Sequence, residues 1–209
     1  MERRFEEVIE TRQRLRERNK EPSHRVRNKV IDHIDDHCRR FIAACPFVML
    51  ATRGGDGRLD ISPKGDPAGF VSVLDDKTLA VPDRPGNNRL DTFENLLIHP
   101  EIGLFFIIPG NGDTLRVSGK GQVVRDSLLQ QQLGLNGKIP NLVLIVTVEE
   151  AFVHCPKCVI RSGLWRPDEW PDRKSLPTLA EAMVAHGALT ETVLEMQTII
   201  DKDLADRLY

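Results

Sequence analysis

Two arginines and two asparagines crowd the stretch Asp83-Arg84-Pro85-Gly86-Asn87-Asn88-Arg89-Leu90-Asp91-Thr92-Phe93. A guanidinium can fork onto two oxygens of a phosphate or carboxylate, and a primary amide adds a neutral donor. The stretch follows Thr78-Leu79-Ala80-Val81, which reads as a strand. It leads into Leu90, Phe93, Leu97 and Ile98, a helical spacing that stops at Pro100. A turn that opens a helix presents unpaired N–H groups and the positive end of the helix dipole. These features together describe a phosphate cradle. The Pro-Gly and Asn-Asn pairs suit a solvated turn equally well, and the stretch alone does not separate the two readings.

A second group with chemical potential is His154-Cys155-Pro156-Lys157-Cys158. Cys-x-x-Cys is half of a zinc site or a redox pair. Cys38 and Cys45 are not spaced as a second ligand pair, and the haem-attachment order Cys-x-x-Cys-His is not met. No metal ligation is expected. His33 and His37 stand at i, i+4 with no third ligand in view, so they read as solvated. Trp165 and Trp170 flank a proline-rich turn and read by default as buried structural tryptophans. Neither a Gly-x-Gly-x-x-Gly fingerprint nor a Walker A sequence is present.

The elements that position these groups follow from periodicity. Residues 1–28 are charged, with Phe5, Val8, Ile9 and Leu15 hinting at a weakly amphipathic helix. Val30, Ile31, Ile34, Cys38, Phe41, Ile42 and Cys45 predict a helix from residue 30 to about 44. Strands are predicted over 47–52, 59–62, 69–74, 78–81, 102–108, 114–124 and 142–148, with a hairpin turn at 54–57. The continuous apolar run 102–108 is that of a strand buried on both faces. Asp126 caps a short helix over 128–133. Thr178 and Glu181 form a capping box that opens a helix ending near Gly187. Thr190 is expected to cap a last helix carrying Val193, Leu194, Met196, Ile199, Ile200 and Leu204. Closely spaced strands joined mostly by hairpins make an antiparallel barrel rather than a doubly wound sheet.

Composition narrows the partners. A net charge of −2 over 209 residues gives no electrostatic reason to expect nucleic acid or an anionic membrane. No apolar run approaches the ~20 residues of a membrane span, and Met1-Glu2-Arg3-Arg4 lacks the apolar core of a signal peptide. With four cysteines and no export signal, the expectation is a cytoplasmic protein with free thiols.

Four motifs in order resemble the pyridoxamine 5′-phosphate oxidase-like flavoproteins. They are Phe47-Val48-Met49-Leu50-Ala51-Thr52 with Leu59-Asp60-Ile61-Ser62-Pro63-Lys64-Gly65-Asp66-Pro67-Ala68-Gly69-Phe70-Val71, then Val81-Pro82 with the arginine-asparagine stretch. Thr114-Leu115-Arg116-Val117-Ser118-Gly119-Lys120-Gly121 is the third, and residues 154–165 are the fourth. The likeness spans roughly residues 40–168.

The resemblance implies a mainly β fold, a split antiparallel β-barrel over 46–168. A helical extension over 1–45 and a helical tail over 169–209 flank it. It implies FMN as cofactor, oxidoreductase chemistry on a small molecule, and a homodimer with two sites at its interface. Arg84 and Arg89 would take the phosphate, with Asn87 and Asn88 as neutral donors. Ser62 and Lys64 match positions where the family contacts flavin, with Lys64 at the ring edge. Thr114 falls where relatives place a side chain against the ring, and Arg116 lies two residues on. Lys157, Arg161 and Trp165 match a segment that the family places near the flavin of the neighbouring subunit. The arginine-rich C-terminal substrate signature of the vitamin-forming oxidase is not found, so pyridoxamine phosphate is not the expected substrate. The alternative within the same barrel is a non-catalytic protein that binds or stores flavin, haem or a deazaflavin.

Overall fold

The computed structural model describes residues 5–208. Seven strands form one antiparallel sheet. They are β1 (Phe47–Arg53), β2 (Leu59–Gly65), β3 (Ser72–Val73), β4 (Thr78–Pro82), β5 (Glu101–Ile107), β6 (Thr114–Val124) and β7 (Val143–His154). Their order is β2-β1-β5-β6-β7-β4-β3, and every pairing is antiparallel. The sheet does not close, leaving β2 and β3 at its two edges. This is a split β-barrel with helices before, between and after its strands.

Period-two alternation builds the core. Val48, Leu50, Leu104, Phe106, Leu115, Val117, Leu144 and Val146 all point inward and are buried. A helix closes one side of that core. Its Cys38 and Ile42, together with Ile34 and Cys45, pack into the same cluster. Each such side chain contributes about 1.5–3 kcal/mol relative to exposure. Between Ser118 and Gly119 the β6–β7 register shifts. A Cβ at Gly119 would stand 1.9 Å from the Thr147 carbonyl oxygen, so only glycine permits this approach.

The helices are α1 (Arg12–Arg18), α2 (His24–Asn28), α3 (Asp36–Ala43), α4 (Asp91–Ile98), α5 (Ser127–Gln132), α6 (Lys157–Ser162), α7 (Leu179–Gly187) and α8 (Val193–Arg207). Several differ from the sequence expectation for identifiable reasons. The helix predicted from residue 30 starts at Asp36 instead. Ile31 is drawn into a bridge with Ala151, and the Asp35 carboxylate accepts from the Cys38 N–H at 2.8 Å as the N-cap. Phe5, Val8 and Ile9 lie before α1, outside any helix, while Leu15 sits within it and is 45% exposed. The last helix is capped by Thr192, whose box partner is Glu195, rather than by Thr190.

Strand limits shift too. β2 runs through Pro63 to Gly65, because an edge strand can place the missing N–H toward solvent. The strand predicted over 69–74 shrinks to Ser72–Val73 after Gly69, whose φ is +85°. β5 alternates buried and half-buried positions, so one face is only partly covered, contrary to the two-sided burial expected. β7 extends to His154 past Glu149 and Glu150, which mask the pattern by pointing outward around the register shift. Trp170 is 56% exposed rather than buried. α7 and α8 pack chiefly on each other. Among the described residues no helix is long and apolar enough to cross a membrane.

Candidate functional site

A cleft of about 740 Å³ lies between edge strand β2, the 83–90 loop, the start of α4 and residues 138–141. Two separate sequence motifs meet there: Ser62 and Lys64 on β2, and Arg84, Asn87, Asn88 and Arg89 in the loop. Cross-strand register explains the β2 side. Lys64 pairs with Val48 and Ser62 with Leu50, both inward residues, so the two polar side chains emerge on the core face at the open edge. Leu90, Phe93 and Ile139 add apolar wall, while Ile61 and Pro63 border the cleft from the rim of β2 with their side chains on the outer face.

The two loop arginines are held differently. Arg84 Nε lies 2.5 Å from Asp66 Oδ2, whose side chain is only 1% exposed, and Arg84 Nη2 donates to the Leu133 carbonyl at 2.9 Å. Arg84 therefore latches the loop to residue 66 and to the end of α5. Asp66 Oδ1 is buried with no hydrogen-bond partner among the described residues. Arg89 is open to solvent, its side chain pairing among the described residues with Asp91 alone, at 2.6 Å. Surface pairs of this kind contribute about 0–1 kcal/mol, so its guanidinium is available to another anion.

The loop backbone is shaped around Arg89. Asn87 Oδ1 accepts from the Arg89 N–H at 3.1 Å, an Asx turn. Asn88 and Leu90, on either side, adopt left-handed φ values of 59° and 57°. Asparagine tolerates that region, whereas leucine pays about 1–2 kcal/mol for it. Leu90 precedes α4 with no side-chain cap. Lys64 and Lys138 make no ion pair among the described residues, which leaves two further cations facing the cleft. Burial pushes the Asp83 carboxyl up, opposed by the attraction of Lys64 and Arg84.

Thr114, Arg116, Lys157, Arg161 and Trp165 do not line this cleft. Thr114 shares a transverse row with Ile107, Phe47 and Gly65. Three strand spacings put it roughly 14 Å from β2. Arg116 faces outward, 5.0 Å from the Phe152 ring centroid, on the sheet face opposite Lys64. Thr114 Oγ1 and His154 Nδ1, on directly paired residues, are both buried without partners among the described residues. Lys157 and Arg161 project from α6 into solvent. Trp165 donates to the Asn111 carbonyl at 2.7 Å and lines a separate 290 Å³ hollow. Cys155 and Cys158 are exposed free thiols, and the described residues contain no cluster of three ligating side chains. His33 Nδ1 pairs with Asp32 at 3.0 Å.

Sequence reasoning passed over Asp66, Lys138 and Arg207. Lys138 follows an Asn-Gly turn, a local signal that marks it as a loop residue. Arg207 lines the cleft from α8, and its Nη2 donates to the Gly86 carbonyl at 3.2 Å. Nothing local in the sequence ties these two positions together.

The edge-opened antiparallel sheet and the cleft beside its first hairpin define a split-barrel protein. The family model described as pyridoxamine 5′-phosphate oxidase matches residues 34–155, more than half of the chain. The chain belongs to this family. No curated protein matches the chain. Among solved structures, HupZ from Group A Streptococcus matches at 20% identity and a TM-score of 0.48, covering 57% of this chain and 93% of that one. A putative pyridoxamine 5′-phosphate oxidase from Lactobacillus delbrueckii matches at 21% identity and a TM-score of 0.47, covering 58% and 95%. HutZ, the heme storage protein from Vibrio cholerae, matches at 16% identity and a TM-score of 0.40, covering 58% and 94%.

Proposed function

We propose that this protein is an FMN-binding oxidoreductase that acts on a small molecule and works as a homodimer. The observation that carries the reading is the convergence of β2 and the 83–90 loop on one cleft, where cations and apolar walls adjoin. Its donor set suits FMN. Arg89, Lys64 and Lys138 offer positive charge for a phosphate, while Leu90, Phe93 and Ile139 offer apolar surface for a ring. In this reading Arg84 holds the loop in shape through Asp66 and supplies Nη1 to the ligand. Asn88 and Asn87 act as neutral donors and as loop formers, and Ser62 donates along the polar edge. Lys64 places a positive charge that favours negative charge on the ligand. Bound FMN would supply the hydride chemistry, and the chain's own task is binding, orientation and exclusion of water.

The dimer reading rests on the outer sheet face. Phe47, Met49, Phe105 and Ile107 are only half-buried there, and Leu59 and Ile61 on β2 are 78% and 66% exposed. Arg116, Lys157, Arg161 and Trp165 stand away from their own cleft, as a contribution to a partner's site requires, whereas Thr114 is buried at 2% exposure.

Mass spectrometry of ligand released from the purified protein tests the cofactor. The expected result is the mass of FMN with flavin absorbance. A Soret band with released haem, a deazaflavin mass, or a colourless protein that does not take up added FMN overturns the assignment.

A further inference from the structure

We propose that α8 is a strap across the cleft and that Arg207 binds the phosphate monoester held there, giving up the Gly86 carbonyl to do so. The idea rests on the reading that the cleft holds a phosphate. Arg207 is tied twice: Nη1 to Asp203 at 3.0 Å within its own helix, and Nη2 to Gly86 O at 3.2 Å in the loop. The first tie orients the guanidinium. The second is a bond to a neutral carbonyl, whereas a phosphate brings opposite charge and can take the guanidinium fork through two oxygens. Gly86 adjoins Asn87, Asn88 and Arg89, so a phosphate received by that loop lies beside the atom that Arg207 already reaches.

The mounting of α8 permits the exchange. Only Met196 of this helix is buried, while Leu194, Ile199 and Leu204 are 77%, 52% and 55% exposed. The helix packs chiefly on α7, so a small shift breaks no core contact. Elements held by few buried contacts open at low free energy. A ligand that replaces the carbonyl tie at the last turn with a stronger one therefore slows that opening.

The test combines amide hydrogen exchange over residues 193–207 with flavin binding by fluorescence, in wild type and Arg207→Ala. The Arg207 side chain is 48% exposed, so its removal leaves the fold intact. FMN is expected to slow exchange of α8 about tenfold in wild type and not in the variant. The variant should bind FMN roughly tenfold more weakly and riboflavin unchanged. Inorganic phosphate alone, at millimolar concentration, is the third arm. If FMN binds both proteins equally and α8 exchanges alike, the strap is refuted while the flavin reading survives. If FMN does not bind but phosphate slows α8 exchange in wild type only, the strap stands with phosphate from another ligand, and the flavin reading falls. If FMN binds neither protein and no anion changes α8 exchange, both fall.

Discussion

Two cation-bearing regions of this molecule look alike in sequence and differ in physics. The cleft has Lys64, Arg84 and Arg89; the corner after β7 has Lys157 and Arg161. In the cleft the side chains border one concavity beside a buried carboxylate and apolar walls. At the corner, within one protomer, they stand on a short convex helix in water, where charge is screened and contributes little until a partner covers it. The corner's buried polar atoms are of another kind: Trp165 Nε1 bonded to the Asn111 carbonyl, and Thr114 Oγ1 and His154 Nδ1 on paired residues without partners among the described residues. Curvature, rather than residue type, decides which cations can act together on one anion.

The sharpest way to break this comparison is within the cleft itself. Arg84→Ala leaves the Asp66 carboxylate buried without its partner, and should destabilise the fold by about 3–5 kcal/mol in urea denaturation. A loss below about 1 kcal/mol would show that the latch is no more than a surface pair. Arg89→Ala should leave stability within about 0.5 kcal/mol. It should weaken FMN by about 1.5–3 kcal/mol and riboflavin far less, in parallel fluorescence titrations. Equal FMN affinity in variant and wild type removes Arg89 from the site.

A pH series separates the cleft from the corner more finely. Burial raises Asp83 above its ordinary value near 3.8, so the folded state holds this proton more tightly than the unfolded chain. The associated stability is complete below 3.8 and is lost as pH climbs through the raised value. Asp83→Asn should flatten that part of the stability curve, while Lys157→Ala leaves it unchanged. Smallest of all is the effect expected at Cys158. Cys158→Ala should alter stability by less than about 0.5 kcal/mol. In native wild type a thiol reagent should modify Cys155 and Cys158 and spare Cys38, which burial pushes up to about 12, and Cys45. Protection of Cys158 in the native protein would mean that the corner is covered.

Much of the architecture was legible because it is local. Short apolar runs marked β1 and β4 and the Asn111-Gly112-Asp113 turn marked the start of β6, each almost to the residue, and the Thr178–Glu181 box marked α7. The 83–90 loop was legible as a turn opening a helix, but its division of labour was not. Arg84 and Arg89 carry the same side chain, and only the packing of Asp66 and Leu133 assigns one to the interior. The early helix was misjudged because Ile31 satisfies helical spacing yet pairs with Ala151, a partner far away in the chain. Thr192 and Thr190 are both cap residues, and the choice fell to the one followed by glutamate at the third position. The division of Lys64 and Arg116 between opposite sheet faces follows from strand order, which no window of sequence contains.

The sheet's two rims carry a further meaning. Seven strands in an open sheet leave two rows of unpaired amides, the usual template for runaway strand addition. Here one rim is interrupted by Pro63, which has no N–H to offer, and the other ends in β3, a strand only two residues long. Neither rim can recruit a foreign strand over any useful length. Association is thereby steered away from fibre-like growth and onto faces, where side chains choose the partner.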